Sequence, residues 1–404
     1  MIKYEKLYSE TANSVKASAI RELLKIIAQP DIISLAGGLP DPNLFPAEEV
    51  AHMLHDCVIA HPNETLQYGT TEGQKCLKEA LVGWMKESED IDATPDQLLI
   101  VSASQQALDM CARIFLNRGD AIITASPTYL GALQAFEAAG ADVYGAESDD
   151  FGVTVEGIEN RLKELKAAGK SCKFIYLVPE FANPTGTTIP QERREAILKL
   201  AEKYNTFIVE DSPYRQVRFE GKAPDTFYKI DQGRGNVITL FTFSKIFVPG
   251  FRLGYIVGPA HVIRKFVILK QAMDLCTSPV LQVATAAYIK SGRLMPHIVE
   301  EVKSYGKKRD FMLQMLEKYM PKGVKWTRPE GGLFLWVTVP EYIDTQKMLH
   351  EAVKNKVAYV AGFDFYPPRY AKHNDLRLNF SYSSFEQLEE GVKRLAATIK
   401  SCMK

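Results

Sequence analysis

A chain of 404 residues, 46% hydrophobic and 24% charged, has the make-up of a globular protein soluble in water, and its length predicts roughly two domains. Lys plus Arg balances Asp plus Glu at 49 each, so no net field favours nucleic acid, and no basic run marks an anionic membrane surface. Six scattered cysteines without a Cys-x-x-Cys pair predict reduced thiols, with neither a disulfide frame nor a metal site.

Residues 1–12 mix charge with tyrosine and lack an apolar segment, which argues against a signal peptide. No stretch reaches the ~18 uninterrupted apolar residues of a membrane span, and a cytoplasmic location is predicted. Apolar positions 20, 23, 24 and 27 predict a short amphipathic helix stopped by Pro30. Leu35-Ala36-Gly37-Gly38-Leu39-Pro40 calls for unusual backbone angles, and Pro46 sits where a helix should begin.

From about residue 95 a strand–loop–helix pattern repeats. Apolar runs at 98–101, 121–125, 174–178, 207–209 and 237–241 read as strands, and 254–257 as another. Helices are predicted after the first of these and over 190–204. Such alternation implies a mostly parallel sheet covered on both faces, with ligands beyond the carboxyl ends of its strands. The polar phrases Ser104-Gln105-Gln106, Ser126-Pro127-Thr128-Tyr129, Asn183-Pro184-Thr185-Gly186 and Asp211-Ser212-Pro213-Tyr214 all follow strands. From about 290 the texture changes to a long helix over 296–319, strands within 326–339, 357–360 and 376–381, and helices over 345–354 and 385–400: a smaller α+β domain.

The stretch Thr242-Phe243-Ser244-Lys245 followed by Arg252 carries the most chemical information. A lysine at the end of a core strand is partly dehydrated, which lowers its pKa and frees its amine as a nucleophile. Nearby hydroxyls and a guanidinium suit a phosphate, and a lysine beside a phosphate cradle suggests a Schiff base to pyridoxal phosphate. Asp211 suits a pyridine nitrogen, with Tyr214 and Asn183 near the ring's phenolic oxygen. Ser104 and Gln105 open a helix whose first N–H groups can take a phosphate, and Tyr129 could stack on a flat ring. Taken singly, each also has a plain structural reading: a capped turn, a Ser N-cap, a core aromatic, or, for Arg377, an outward-facing strand arginine.

In order, these pieces resemble a fold type I aminotransferase of class I/II that depends on pyridoxal phosphate, in particular the 2-aminoadipate, kynurenine and aromatic aminotransferase subgroup. The matching phrases are 32–40, the Tyr68 loop, Asn183-Pro184-Thr185-Gly186, Asp211-Ser212-Pro213-Tyr214, Ser244-Lys245 with Arg252, 329–336 and Arg377, spanning nearly the whole chain. Ala182 and Ser212 depart from the pattern, where Gln and Asp are frequent.

The resemblance implies an α/β fold: a large cofactor domain over 46–292, and a smaller unit from 1–45 plus 293–404. It implies that Lys245 carries the cofactor, Asp211 pairs with the ring nitrogen, Asn183 and Tyr214 hold the ring oxygen, and Tyr129 stacks. Ser104, Gln105, Thr242, Ser244 and Arg252 would hold the phosphate, with Tyr68 reaching in from the second subunit of a homodimer. Arg377, Asn183 and the Gly38 backbone would bind the substrate α-carboxylate, and Arg21 an acidic side chain. The expected reaction passes an amino group from 2-aminoadipate, glutamate, or an aromatic or branched amino acid to a 2-oxo acid such as 2-oxoglutarate. A β-lyase on the same fold and an aminotransferase-like regulatory domain are the rival readings; no winged-helix segment or basic patch precedes the cofactor phrases.

Overall fold

The computed structural model describes residues 2–14 and 31–403, so Arg21 and the helix expected over 20–27 lie outside the described residues. Its centre is an eight-stranded sheet in the order Leu98–Val101, Gly254–Val257, Val237–Thr242, Phe207–Asp211, Cys172–Leu177, Ala121–Ser126, Asp142–Asp149 and Gly152–Val153. Ladders from Val237–Thr242 through to Asp142–Asp149 are parallel, whereas Gly254–Val257 runs against both neighbours. Leu98–Val101 and Val237–Thr242 are buried at every position, as strands covered on both faces must be.

The chain winds outward in opposite directions from the adjacent strands Ala121–Ser126 and Cys172–Leu177. A crevice therefore opens beyond their carboxyl ends, the usual ligand position in such sheets. Helices that the apolar pattern did not single out cover the sheet and its flank, among them Lys75–Glu89, Val155–Ala167, Ala260–Met273 and Pro279–Lys290. In Val155–Ala167 the buried positions are Gly157, Ile158, Leu162 and Leu165, so only a narrow apolar stripe marked it beforehand.

A second, antiparallel sheet orders Lys325–Trp326, Phe334–Thr338, Asp375–Asn379 and Val360–Ala361. The single strand expected over 357–360 is in fact two: Val357–Ala358 pairs with Ile33–Ser34 instead. The long helix runs from Leu294 to Tyr319, with Pro296 in its first turn, where its missing N–H costs nothing. The segment after Ile33–Ser34 is stitched to the second sheet by the Asn379 N–H donating to Leu35 O at 2.8 Å. It is pinned again by the buried Lys308–Asp41 ion pair at 2.7 Å. These anchors carry Gly37, Gly38 and Leu39 over the crevice of the large sheet.

Candidate active site

The crevice is a cavity of about 360 Å³ between the two sheets, and it gathers twelve of the fourteen side chains or backbones singled out above: Gly38, Ser104, Gln105, Tyr129, Asn183, Asp211, Tyr214, Thr242, Ser244, Lys245, Arg252 and Arg377. Of the other two, Arg21 is not described, and Tyr68 is 80% exposed and lies outside its own chain's cavity.

Lys245 ends a short turn, Phe243–Lys245, directly after the strand Val237–Thr242. Its Nζ donates to Gly38 O at 2.6 Å. Burial lowers its pKa to about 8, helped by the positive charges of Arg377 and Arg252. The amine thus gives up its proton far more readily than an ordinary lysine, as a nucleophile or proton carrier must. Beside it the Thr242 hydroxyl donates to Ser244 Oγ at 2.9 Å, and Arg252 Nη1 donates to the same oxygen at 3.3 Å. Among the described residues no carboxylate meets this hydroxyl–guanidinium group, and Arg252 lines the cavity.

Across the floor, the helix Ala103–Phe115 begins at Ser104 and Gln105, and its first N–H groups have no partner within the helix. The buried Ser104 Oγ has no hydrogen-bond partner among the described residues. Tyr129 is held by a 3.3 Å hydrogen bond from its hydroxyl to Gln105 Oε1. A Cβ at Gly131 would lie 2.6 Å from that hydroxyl, so the ring keeps its place only over glycine.

Asp211 is the last residue of its strand and 2% exposed. Its Oδ2 accepts from the Tyr176 hydroxyl at 2.8 Å, while Oδ1 is buried without a partner among the described residues. Burial raises its pKa to about 7, against the lowering effect of the Tyr176 bond. Arg377 corrects the outward-facing alternative: it is 1% exposed, central in the second sheet opposite Trp336 and Val360. It donates to Asn183 Oδ1 at 2.8 Å and to Ala36 O at 2.7 Å. Among the described residues no carboxylate neutralises it. Its guanidinium lies 4.2 Å from the Phe334 ring centre and 5.2 Å from that of Phe365. Burial lowers its pKa to about 10.

Sequence reasoning assigned no role to Phe334, Phe365 or Tyr176. The two phenylalanines gave no local signal, because they meet Arg377 only through the fold. Tyr176 did carry one: a tyrosine inside a fully buried strand must find a partner for its hydroxyl.

The unpartnered atoms define what the cavity lacks. An orphan carboxylate oxygen suits a protonated ring nitrogen, a serine hydroxyl with free helix N–H groups and Arg252 suit a phosphate, and a low-pKa lysine suits an aldehyde. A flat, phosphorylated pyridine aldehyde fits that set. Fold and site together define a transferase of amino groups, and comparison bears this out: residues 30–395 match aminotransferase class I and II, and the chain belongs to that family. It is a pyridoxal-phosphate-dependent aminotransferase. Aromatic-amino-acid aminotransferase 1 of Thermococcus litoralis is 47% identical over 99% of this chain and 96% of its own. The 2-aminoadipate transaminase of Thermus thermophilus is 33% identical over 100% of this chain and 98% of its own. The crystal structure of Pyrococcus horikoshii kynurenine aminotransferase, in complex with PMP, kynurenine and its product, superposes with a TM-score of 0.96 at 46% identity, covering 100% of this chain and 99% of that one. Among the described residues no helix is long and apolar enough to cross a membrane.

Proposed function

We propose that this enzyme transfers the amino group of aromatic amino acids, kynurenine among them, and of 2-aminoadipate or glutamate, to 2-oxoglutarate, with the residues of the cavity in the following roles. Arg377, aided by Asn183 and the Gly38 backbone, takes the α-carboxylate of either substrate. The observation that carries this reading is a buried guanidinium with no carboxylate partner among the described residues, held between phenyl faces beside a lysine whose pKa burial lowers. Ser104, Gln105, Thr242, Ser244 and Arg252 hold the cofactor phosphate. Tyr129 covers one face of the ring, Asn183 and Tyr214 hold its oxygen, and Asp211 keeps a proton on its nitrogen. When bound, pyridoxal phosphate supplies an electron sink for the pair left at the substrate Cα.

Lys245 has two tasks. It would anchor the cofactor between turnovers, and once displaced its amine would take the proton from the substrate Cα and deliver it to the carbon that had been the cofactor's aldehyde. The apolar walls at Leu39 and Phe334 exclude water while it does so and suit an aromatic donor. The similarity to aromatic, kynurenine and 2-aminoadipate enzymes supports this donor range. Arg21 is proposed to pair with the side chain of an acidic donor.

The strong exposure of Tyr68, with Ile59 and Leu66 also exposed close by in the chain, supports a homodimer in which it completes the partner's phosphate site. The two sheets, within 98–257 and 325–379, are consistent with units over 46–292 and 1–45 plus 293–404. Balanced charge and dispersed cysteines favour a cytoplasmic location.

Borohydride reduction of the cofactor-loaded enzyme followed by peptide mapping tests the anchor: the label is expected on Lys245, and a label elsewhere overturns the assignment. A panel of donors with 2-oxoglutarate tests the substrates, with turnover of phenylalanine, tyrosine and kynurenine expected. Pyruvate and ammonia from one amino acid alone, without an added 2-oxo acid, would instead mark a lyase.

A further inference from the structure

Asp211 is held in an unusual way for a buried charge. Among the described residues it has one hydrogen-bond donor, the Tyr176 hydroxyl at 2.8 Å, and no arginine or lysine pairs with it. The sheet explains the contact. Tyr176 stands opposite Val209 in the parallel ladder, and Val209 and Asp211, two apart on one strand, project from the same face. Asp211 is therefore the next side chain along from Tyr176's direct partner, within reach of a tyrosine.

The tyrosine itself cannot turn away. It is fully buried, and its ring meets Phe136 edge-on with centres 5.3 Å apart, while Phe136 meets Phe174 in the same manner. Burial beside Asp211 pushes the phenol's pKa well above its ordinary value, so the hydroxyl keeps its proton and donates. A carboxylate with one fixed donor has one preferred orientation: Oδ2 to the tyrosine, Oδ1 free to the cavity.

We propose that Tyr176 is a positioning residue for the cofactor: its hydroxyl orients Asp211 and stabilises its ionised form, and so sets how strongly the site favours a ring that carries a protonated nitrogen. The inference rests on the reading that Asp211 faces the ring nitrogen. Without the hydroxyl, the buried carboxylate escapes its desolvation by taking up a proton, which disfavours the ion pair and leaves a nitrogen-free ring unaffected.

The test is a binding ratio. Dissociation constants are measured on the full-length chain for pyridoxal phosphate and for its analogue with carbon in place of the ring nitrogen. The native protein should prefer pyridoxal phosphate. In Tyr176→Phe the preference should shrink by about ten- to a hundredfold, the scale of one hydrogen bond to a charged group. Asp211→Asn should shrink it at least as much. If Asp211→Asn shrinks it and Tyr176→Phe does not, the positioning role is wrong. If both ligands weaken equally in Tyr176→Phe, the tyrosine is packing only and the proposal falls. If Asp211→Asn leaves the preference intact, the placement of Asp211 against the nitrogen fails, and this inference with it. A ring-fluorinated tyrosine at 176 keeps the packing and strengthens the donor, so it should raise the preference; an unchanged ratio there also overturns the proposal.

Discussion

Glu210 and Asp211 are consecutive on one strand, both buried, and burial raises both pKa values to about 7. Because successive side chains on a strand point to opposite faces, they enter different surroundings. Glu210 accepts from the Phe227 N–H at 2.8 Å, the Tyr228 N–H at 3.2 Å and the Thr239 hydroxyl at 2.8 Å. Asp211 has one donor and an orphan oxygen. The same division holds for two buried arginines. Arg194 donates to Glu180 at 2.6 Å and to the carbonyls of Ile189, Asp225 and Pro179, whereas Arg377, among the described residues, meets no carboxylate and leaves its Nε unpaired. Burial and a shifted pKa occur in both regions, so neither marks a site by itself. Unpartnered polar atoms gathered at one cavity do: Ser104 Oγ, Asp211 Oδ1 and Arg377 Nε line it together, whereas the unpartnered atoms of Glu301, His297 or Thr206 lie elsewhere.

The arginines give the widest expected separation. Arg194→Met strands Glu180 with only Arg215 as a charged partner and should cost about 3–5 kcal/mol of stability in denaturant unfolding, with turnover per folded molecule kept. Arg377→Met removes a cation that no carboxylate balances. Its stability should be near that of the parent, while KM for donor and acceptor rises about ten- to a hundredfold. Equal stability losses in the two variants would erase the distinction drawn here.

The carboxylates sharpen it. Asp211→Asn should lower kcat/KM about a hundred- to a thousandfold, the scale of losing a preorganised electrostatic group. Glu210→Gln should instead cost about 1–3 kcal/mol of stability, because an amide presents donors where three donors already point, and leave turnover intact. Activity lost in Glu210→Gln at unchanged stability would reassign that residue to the chemistry.

A further separation is in pH dependence. Folded Asp211 and Glu210 hold protons up to about 7, against ordinary values of 3.8 and 4.5, so the folded chain binds more protons than the unfolded one between those limits. Stability of the cofactor-free protein should therefore fall as pH rises through that window. Asp211→Asn should remove Asp211's share of the slope, measured as unfolding midpoints across pH. Lys245 has the opposite sign: its pKa is lowered from 10.5 to about 8, so its contribution to stability should recover as pH rises between those values.

The local part of this protein was legible in its residues. Apolar runs at 98–101, 207–209 and 237–241, each followed by a polar phrase, were enough to anticipate a parallel sheet with ligands at its carboxyl ends. Lys245 could be singled out because its neighbours at 242, 244 and 252 lie within seven residues of it in the chain and carry complementary chemistry. What the sequence could not supply was distance between remote segments. The strand order that sets Tyr176 beside Asp211, the pairing of Ile33–Ser34 with Val357–Ala358 that draws Gly38 onto Lys245, and the phenyl faces of Phe334 and Phe365 around Arg377 all join residues far apart in the chain. Periodicity and motif chemistry report what a residue can do and which face it occupies; which groups are left buried and unpaired is decided only when the sheets close on each other, because burial and hydrogen-bond satisfaction are properties of the packed whole.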